Sequence, residues 1–70
     1  MRIKLVVGKQ KELIEKAKKG RTWNDLSKIL GLNKDYIRNE LKKEKRIFSR
    51  DVYEKLNALI GVNFDKFITE

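Results

Sequence analysis

The stretch from Thr22 to Ile47, TWNDLSKILGLNKDYIRNELKKEKRI, constrains the chain most. Its apolar residues recur at helical spacing and are interrupted once, at Gly31-Leu32-Asn33. Thr22 followed by Asp25 three residues later is an acidic form of the capping box, which opens a helix by satisfying two free backbone N–H groups. Leu26, Ile29 and Leu30 then fall on one helical face. Gly31 has no Cβ, so it can take the left-handed conformation that ends a helix. Leu32 is expected to tuck inward, and Asn33 to cap a second helix with its side-chain oxygen. In that helix, expected over about 34–44, Ile37 and Leu41 share an apolar stripe. Lys34, Asp35, Arg38, Asn39, Lys42 and Lys43 occupy the remaining, mostly basic, face.

Seventy residues make one small domain. A single core of that size gives a thin stability margin, roughly 3–5 kcal/mol. There is no Cys and no His, so neither a disulfide framework nor a zinc staple is expected, and no metal or cofactor is assigned. No apolar run approaches the 18 residues of a membrane span, and no signal-peptide core is present, so a cytoplasmic, nucleoid-associated protein is expected.

The remaining chain divides simply. Residues 1–7 alternate, with Ile3, Leu5 and Val7 on one side, which is a strand pattern or a flexible arm. Such an arm can stay disordered, lie across the helices, or pair with its copy in a second subunit. Residues 8–70 read as one domain of about five short helices, giving an all-α bundle. The first helix runs from Gly8 to Gly20, with Leu13, Ile14 and Ala17 inward and Glu12–Lys16 and Glu15–Lys19 as surface pairs. A loop then carries Lys45 and Arg46, with Ile47 and Phe48 as plugs. Ser49 caps a fourth helix whose stripe is Val52, Leu56, Leu59 and Ile60, flanked by Tyr53. After Gly61, Val62 plugs, Asn63 caps, and a short last helix presents Phe64, Phe67 and Ile68.

Catalytic chemistry is poorly supplied. The common nucleophile–base pairs need His or Cys, the glycines are isolated, and the carboxylates sit at helix starts or on surfaces. No enzyme activity is expected. Binding chemistry is better supplied. The net charge is +8, distributed as +5 over residues 1–20, +5 over 21–50 and −2 over 51–70. That asymmetry suits a polyanion, although a solvated Lys-rich surface has the same composition.

From Thr22 to about Ile68 the chain resembles the lambda-repressor-like helix-turn-helix family, of the Cro and phage-repressor type. The resemblance rests on Thr22, on Leu26-Ser27, on Ile29-Leu30-Gly31-Leu32, on Asn33 and Ile37, on Lys45 to Ser49 leading into Leu56 to Gly61, and on Val62-Asn63-Phe64-Asp65-Lys66-Phe67. Two departures stand out. Trp23 replaces the Gln that often follows the cap and braces a phosphate contact; it can offer N–H donors or serve as a packing aromatic. Glu40-Leu41-Lys42-Lys43 replaces a glycine-containing ending, so the third helix is expected to run on toward Glu44.

The resemblance implies a sequence-specific double-stranded DNA-binding regulator, a repressor first of all, acting as a homodimer on a palindrome. The third helix would enter the major groove. Asn33, Lys34, Arg38 and Asn39 would read bases, the cations on guanine and Asn39 on adenine. Arg21, Thr22, Trp23, Lys42, Lys43, Lys45 and Arg46 would hold phosphates. Asp35 could accept from cytosine, repel phosphate, or favour the helix start. Dimer contacts would come from Ile3, Leu5 and Val7 of the arm or from Phe64, Phe67 and Ile68. The alternative is a protein-interaction module on the same fold, antitoxin-like or partner-inhibiting, whose arm adds a strand to another protein's sheet.

Overall fold

Helix starts in this chain fall where short polar side chains can accept a backbone N–H. A computed structural model describes residues 2–69; Met1 of the expected arm and Glu70 of the expected domain lie outside them. The order is β1 (Arg2–Ile3), α1 (Lys9–Lys18), α2 (Trp23–Leu30), α3 (Lys34–Tyr36), a π-helix (Ile37–Leu41) continuing α3, β2 (Phe48–Ser49), α4 (Arg50–Ile60) and a 3-10 turn (Asp65–Phe67). Thr22 Oγ1 accepts from the Asp25 N–H at 3.1 Å, and Asp25 Oδ2 accepts from the Thr22 N–H at 3.3 Å. Asn33 Oδ1 accepts from the Asp35 N–H at 2.7 Å, and Ser49 Oγ from the Val52 N–H at 3.3 Å. Gly31 and Gly61 close α2 and α4 with φ of 69° and 68°.

The first helix is the exception, because Gly8 at its start has no side chain to offer. Its cap comes from 36 residues away in sequence. The Glu44 carboxylate accepts from the Gly8 N–H at 2.9 and 3.1 Å and from the Lys11 N–H at 3.2 Å. Gln10, the second residue of α1, is buried, and its amide donates to the carbonyls of Leu41 at 2.8 Å and Arg46 at 2.6 Å. The start of α1 and the end of the third helical segment therefore satisfy each other's free backbone groups.

That end has the Schellman pattern. Lys45 N–H reaches the Glu40 carbonyl at 2.8 Å, and Glu44 N–H reaches Leu41 at 3.1 Å. The left-handed position, usually glycine, is Glu44 itself, with φ of 62°. A Cβ there costs roughly 1 kcal/mol, and the carboxylate cap on α1 offsets it. The helix expected to run on toward Glu44 stops at Leu41, and Lys42 to Glu44 continue it only as a hydrogen-bonded turn.

The core draws on every helix. Leu13, Ile14 and Ala17 of α1, Leu26 and Leu30 of α2, Ile37 and Leu41 of the π-helix, and Val52, Tyr53 and Leu56 of α4 are buried together with Phe48 and Phe64. Ile37 and Leu41 are four residues apart and both fully covered, so the wider winding of the π-helix leaves their stripe inward. Several apolar residues differ from expectation. Ile29 is 38% exposed at the edge of α2, and Val62 is exposed rather than plugging. Leu59 and Ile60 are only half-buried, whereas Tyr53 is buried rather than flanking. Glu15 forms its ion pair with Lys42 across the fold at 3.9 Å, and not with Lys19.

The chain is mostly helical but not all-α, because the arm finds a partner within its own chain. β1 pairs antiparallel with β2, Arg2 opposite Ser49 and Ile3 opposite Phe48. On its other side the arm meets the C-terminal segment: Leu5 bridges Ile68, the Val6 N–H donates to Phe67 O, and the Thr69 N–H donates to Lys4 O, each of these two bonds 2.8 Å long. Ile3 is 6% exposed and Leu5 5%. This corrects their assignment as dimer contacts, since both are spent on the chain's own core. Phe64, at 2% exposure, is corrected for the same reason. Of that set Val7, Phe67 and Ile68 keep accessible surface. The last expected helix is a single 3-10 turn, with Asn63 Oδ1 accepting from the Asp65 N–H at 2.6 Å.

Two outcomes follow for stability. Glu44→Ala and Glu44→Gly both remove the cap on α1, but only glycine tolerates the positive φ. In urea denaturation the alanine variant should be less stable than the glycine variant by about 1 kcal/mol. Tyr53 Oη donates to Asp65 Oδ1 at 2.7 Å, tying α4 to the 3-10 turn. Burial first, then this bond, raises the Tyr53 hydroxyl above its ordinary pKa of 10.0. The neutral form is thus favoured by folding, so the contribution is complete below pH 10.0 and is lost as pH rises through the folded value. Denaturation midpoints of wild type and Tyr53→Phe should differ at neutral pH and converge above pH 10.0.

Candidate nucleic-acid interface

The capped start of α2, the turn at Gly31-Leu32-Asn33 and the third helical segment form one rigid corner. The Gly31 and Leu32 N–H groups share the Ser27 carbonyl at 2.8 and 3.2 Å, and the Ser27 hydroxyl donates back to the Leu32 carbonyl. The turn is thus closed by both backbone and side chain. Ile37 and Leu41 anchor the third segment, and Lys34, Arg38 and Asn39 stand exposed on its outer side.

The main feature of this surface is a groove of about 830 Å³ between α1, α2 and the end of the third segment. Trp23, Arg38, Asn39, Lys42 and Lys43 line one side of the group. Val7, Gly8, Lys11, Glu15 and Glu44 complete it. Five of the residues assigned to DNA are therefore brought together. Apart from Glu44, the rest of the lining comes from α1 and the residues just before it, outside Thr22 to Ile47. Lys11 enters the lining from α1. Its place in the groove follows from the Glu44 cap, a contact with no local sequence signal.

The other assigned residues lie elsewhere. Lys45 and Arg46 line a separate hollow of about 550 Å³ with Arg2, Tyr36, Glu40 and Ile47. Arg21 and Thr22 line a shallow one of about 700 Å³ with Lys16, Lys18 and Lys19. Asn33 and Lys34 are exposed at the beginning of α3, outside these three hollows. The assigned residues are thus divided between one groove and two further hollows, one of which also holds Glu12 and Glu15.

Several of these side chains already have internal partners. Arg38 pairs with Asp35 at 3.5 Å, an exposed i,i+3 contact that a nucleic acid could exchange at little cost. Arg21 donates to the Ala17 carbonyl at 2.8 Å, closing α1 as well as presenting charge. Asn33 spends its oxygen on the cap, leaving only its amide N–H groups to donate outward. Trp23 is half-buried against the core, with the Lys18 and Lys42 ammonium groups 5.0 and 5.5 Å from its ring centroid. It packs and lines the groove at once.

Among the described residues no group of three or more His, Cys, Asp or Glu side chains is placed to hold a metal ion. No helix is long and apolar enough to cross a membrane. Comparison with protein-family models, with curated proteins and with solved structures finds no match to this chain.

The double duty of Asn33 is open to measurement. Asn33→Ala should lower stability by about 1 kcal/mol through the lost cap. Asn33→Ser, which retains an acceptor, should restore most of it, as read from urea midpoints.

Proposed function

We propose that the chain is a double-stranded DNA-binding helix-turn-helix module, a transcriptional regulator of repressor type. In this reading α2 and the third helical segment are the two helices of the motif, and the latter enters the major groove. One observation carries it. A single exposed surface collects Arg38, Asn39, Lys42 and Lys43 on a segment whose other side is locked into the core by Ile37 and Leu41. Cations that hold phosphates thereby stand beside an amide and a guanidinium suited to base edges.

The roles divide by position. Arg38 and Asn39, with Lys34 and Asn33 at the segment's start, are the base-reading residues. Lys42, Lys43 and Lys11 hold phosphates in the groove, and Arg21 with Thr22 and Lys45 with Arg46 do so in the two further hollows. Asp35 pairs with Arg38 until the nucleic acid displaces it, and favours the helix start. A module of this size reads few base pairs, so two copies on a palindrome provide the specificity. Val7, Phe67 and Ile68 are the members of the original contact set left for such an association. The alternative, in which the arm adds a strand to a partner, has less support. Ile3 and Leu5 would have to leave the core, and the arm is bonded to segments on both sides.

Selection from a random duplex pool, followed by salt titration on the selected and on scrambled duplexes, tests the proposal. A palindromic preference with half-sites about one helical turn apart is expected. Arg38→Ala and Asn39→Ala should each lose about 1–3 kcal/mol of discrimination at one base pair. Steep salt dependence with equal affinity for every sequence would reduce the chain to a non-specific coater.

A further inference from the structure

We propose that Lys18 and Lys42, gathered against the ring of Trp23, form a clasp for one backbone phosphodiester of the bound duplex. This deepens the DNA-binding reading above and rests on it. Three observations carry it. The two ammonium groups come from different elements, α1 and the turn after the π-helix, yet lie 5.0 and 5.5 Å from one ring centroid. The ring attracts each cation, so one aromatic side chain anchors two cations supplied by different elements.

The second observation is how little internal neutralisation this pair receives. Glu15 is 3.9 Å from Lys42, at the outer limit of an ion pair. Among the described residues Lys18 forms no ion pair. Glu12 and Glu15 share the hollow with Lys18 but neither pairs with it. Two flexible cations anchored on one ring and so weakly paired favour a compact external anion, and a phosphodiester presents two oxygens to them.

The third is location. Lys18 lines the hollow that holds Arg21 and Thr22, and Lys42 lines the groove that holds Arg38 and Asn39. Trp23, in α2, carries both on its ring. A phosphate at this point joins that hollow to the groove and fixes the register in which Arg38 and Asn39 meet their bases. The aromatic at position 23 thus gathers donors from elsewhere instead of being the donor itself.

The clasp makes predictions of opposite sign. Lys18→Gln should weaken binding equally on selected and scrambled duplexes, and should reduce the slope of log affinity against log salt by about one. Glu15→Gln should tighten binding on both duplexes, because it removes the carboxylate competing for Lys42. Lys55→Gln, on α4 and paired with Asp51, should leave the slope unchanged. Trp23 is the chain's one tryptophan, so its emission should change when the duplex binds, and less so in the Lys18→Gln protein.

Thermal melts of each variant establish that it is folded. If wild type binds and Lys18→Gln keeps the full salt slope, the clasp is overturned while the DNA-binding reading stands. The same holds if duplex binding leaves Trp23 emission unchanged. If wild type binds no duplex at any salt concentration, both fail. If single strands bind as tightly as duplex with the same slope change, the duplex assignment of the clasp is overturned.

Discussion

The exchange between Glu44 and the start of α1 is the contact on which the candidate surface depends. One carboxylate receives two backbone N–H groups that Gly8 cannot cap, and Gln10 returns two donors to carbonyls near the end of the third segment. At the exposed start of α1 the carboxylate replaces water on the Gly8 and Lys11 N–H groups, whereas the Gln10 bond to the Leu41 carbonyl is buried. The exchange also has a geometric result. It brings Val7 and Lys11 into one groove with Arg38, Asn39 and Lys42.

A residue in a conformation ill-suited to it often marks a place where something else is gained. Glu44 takes the left-handed position although glycine would fit better. Its side chain reaches a partner that glycine could not. The π-helix just before it belongs to the same arrangement. The Lys42 N–H reaches the Ile37 carbonyl at 2.8 Å, a five-residue step. The wider turn keeps Ile37 and Leu41 inward while the chain arrives at Glu44 in position to cap α1.

The features readable along the chain were the local ones. Thr22, Asn33 and Ser49 cap as their side chains allow, and Gly31 and Gly61 end helices as a missing Cβ allows. Leu13, Ile14, Leu26, Leu30, Ile37, Leu41, Val52 and Leu56 lie inward, as helical spacing requires. Each of these depends on neighbours within about four residues. The arm was legible as a strand but not as to its partner. Strand pairing is decided by which backbone lies alongside, and Phe48 and Ser49 carry little strand pattern of their own. The apolar alternation of Ile3 and Leu5 suited a second subunit as well as it suited this core.

Sequence by itself therefore determined α2 and α4 with their caps and closing glycines, most of the inward stripes and the concentration of positive charge before residue 51. These come from backbone sterics, capping and hydrophobic periodicity, all short-range. Only the tertiary structure decided that the arm is consumed within the chain, that Lys45 and Arg46 part from Lys42 and Lys43, and that Lys11 and Lys18 join the basic surface from α1. Those outcomes rest on contacts spanning tens of residues, such as Glu44 with Gly8 and Lys42 with Glu15. Chain closure over that distance is set by how the whole core packs, and no local pattern encodes it.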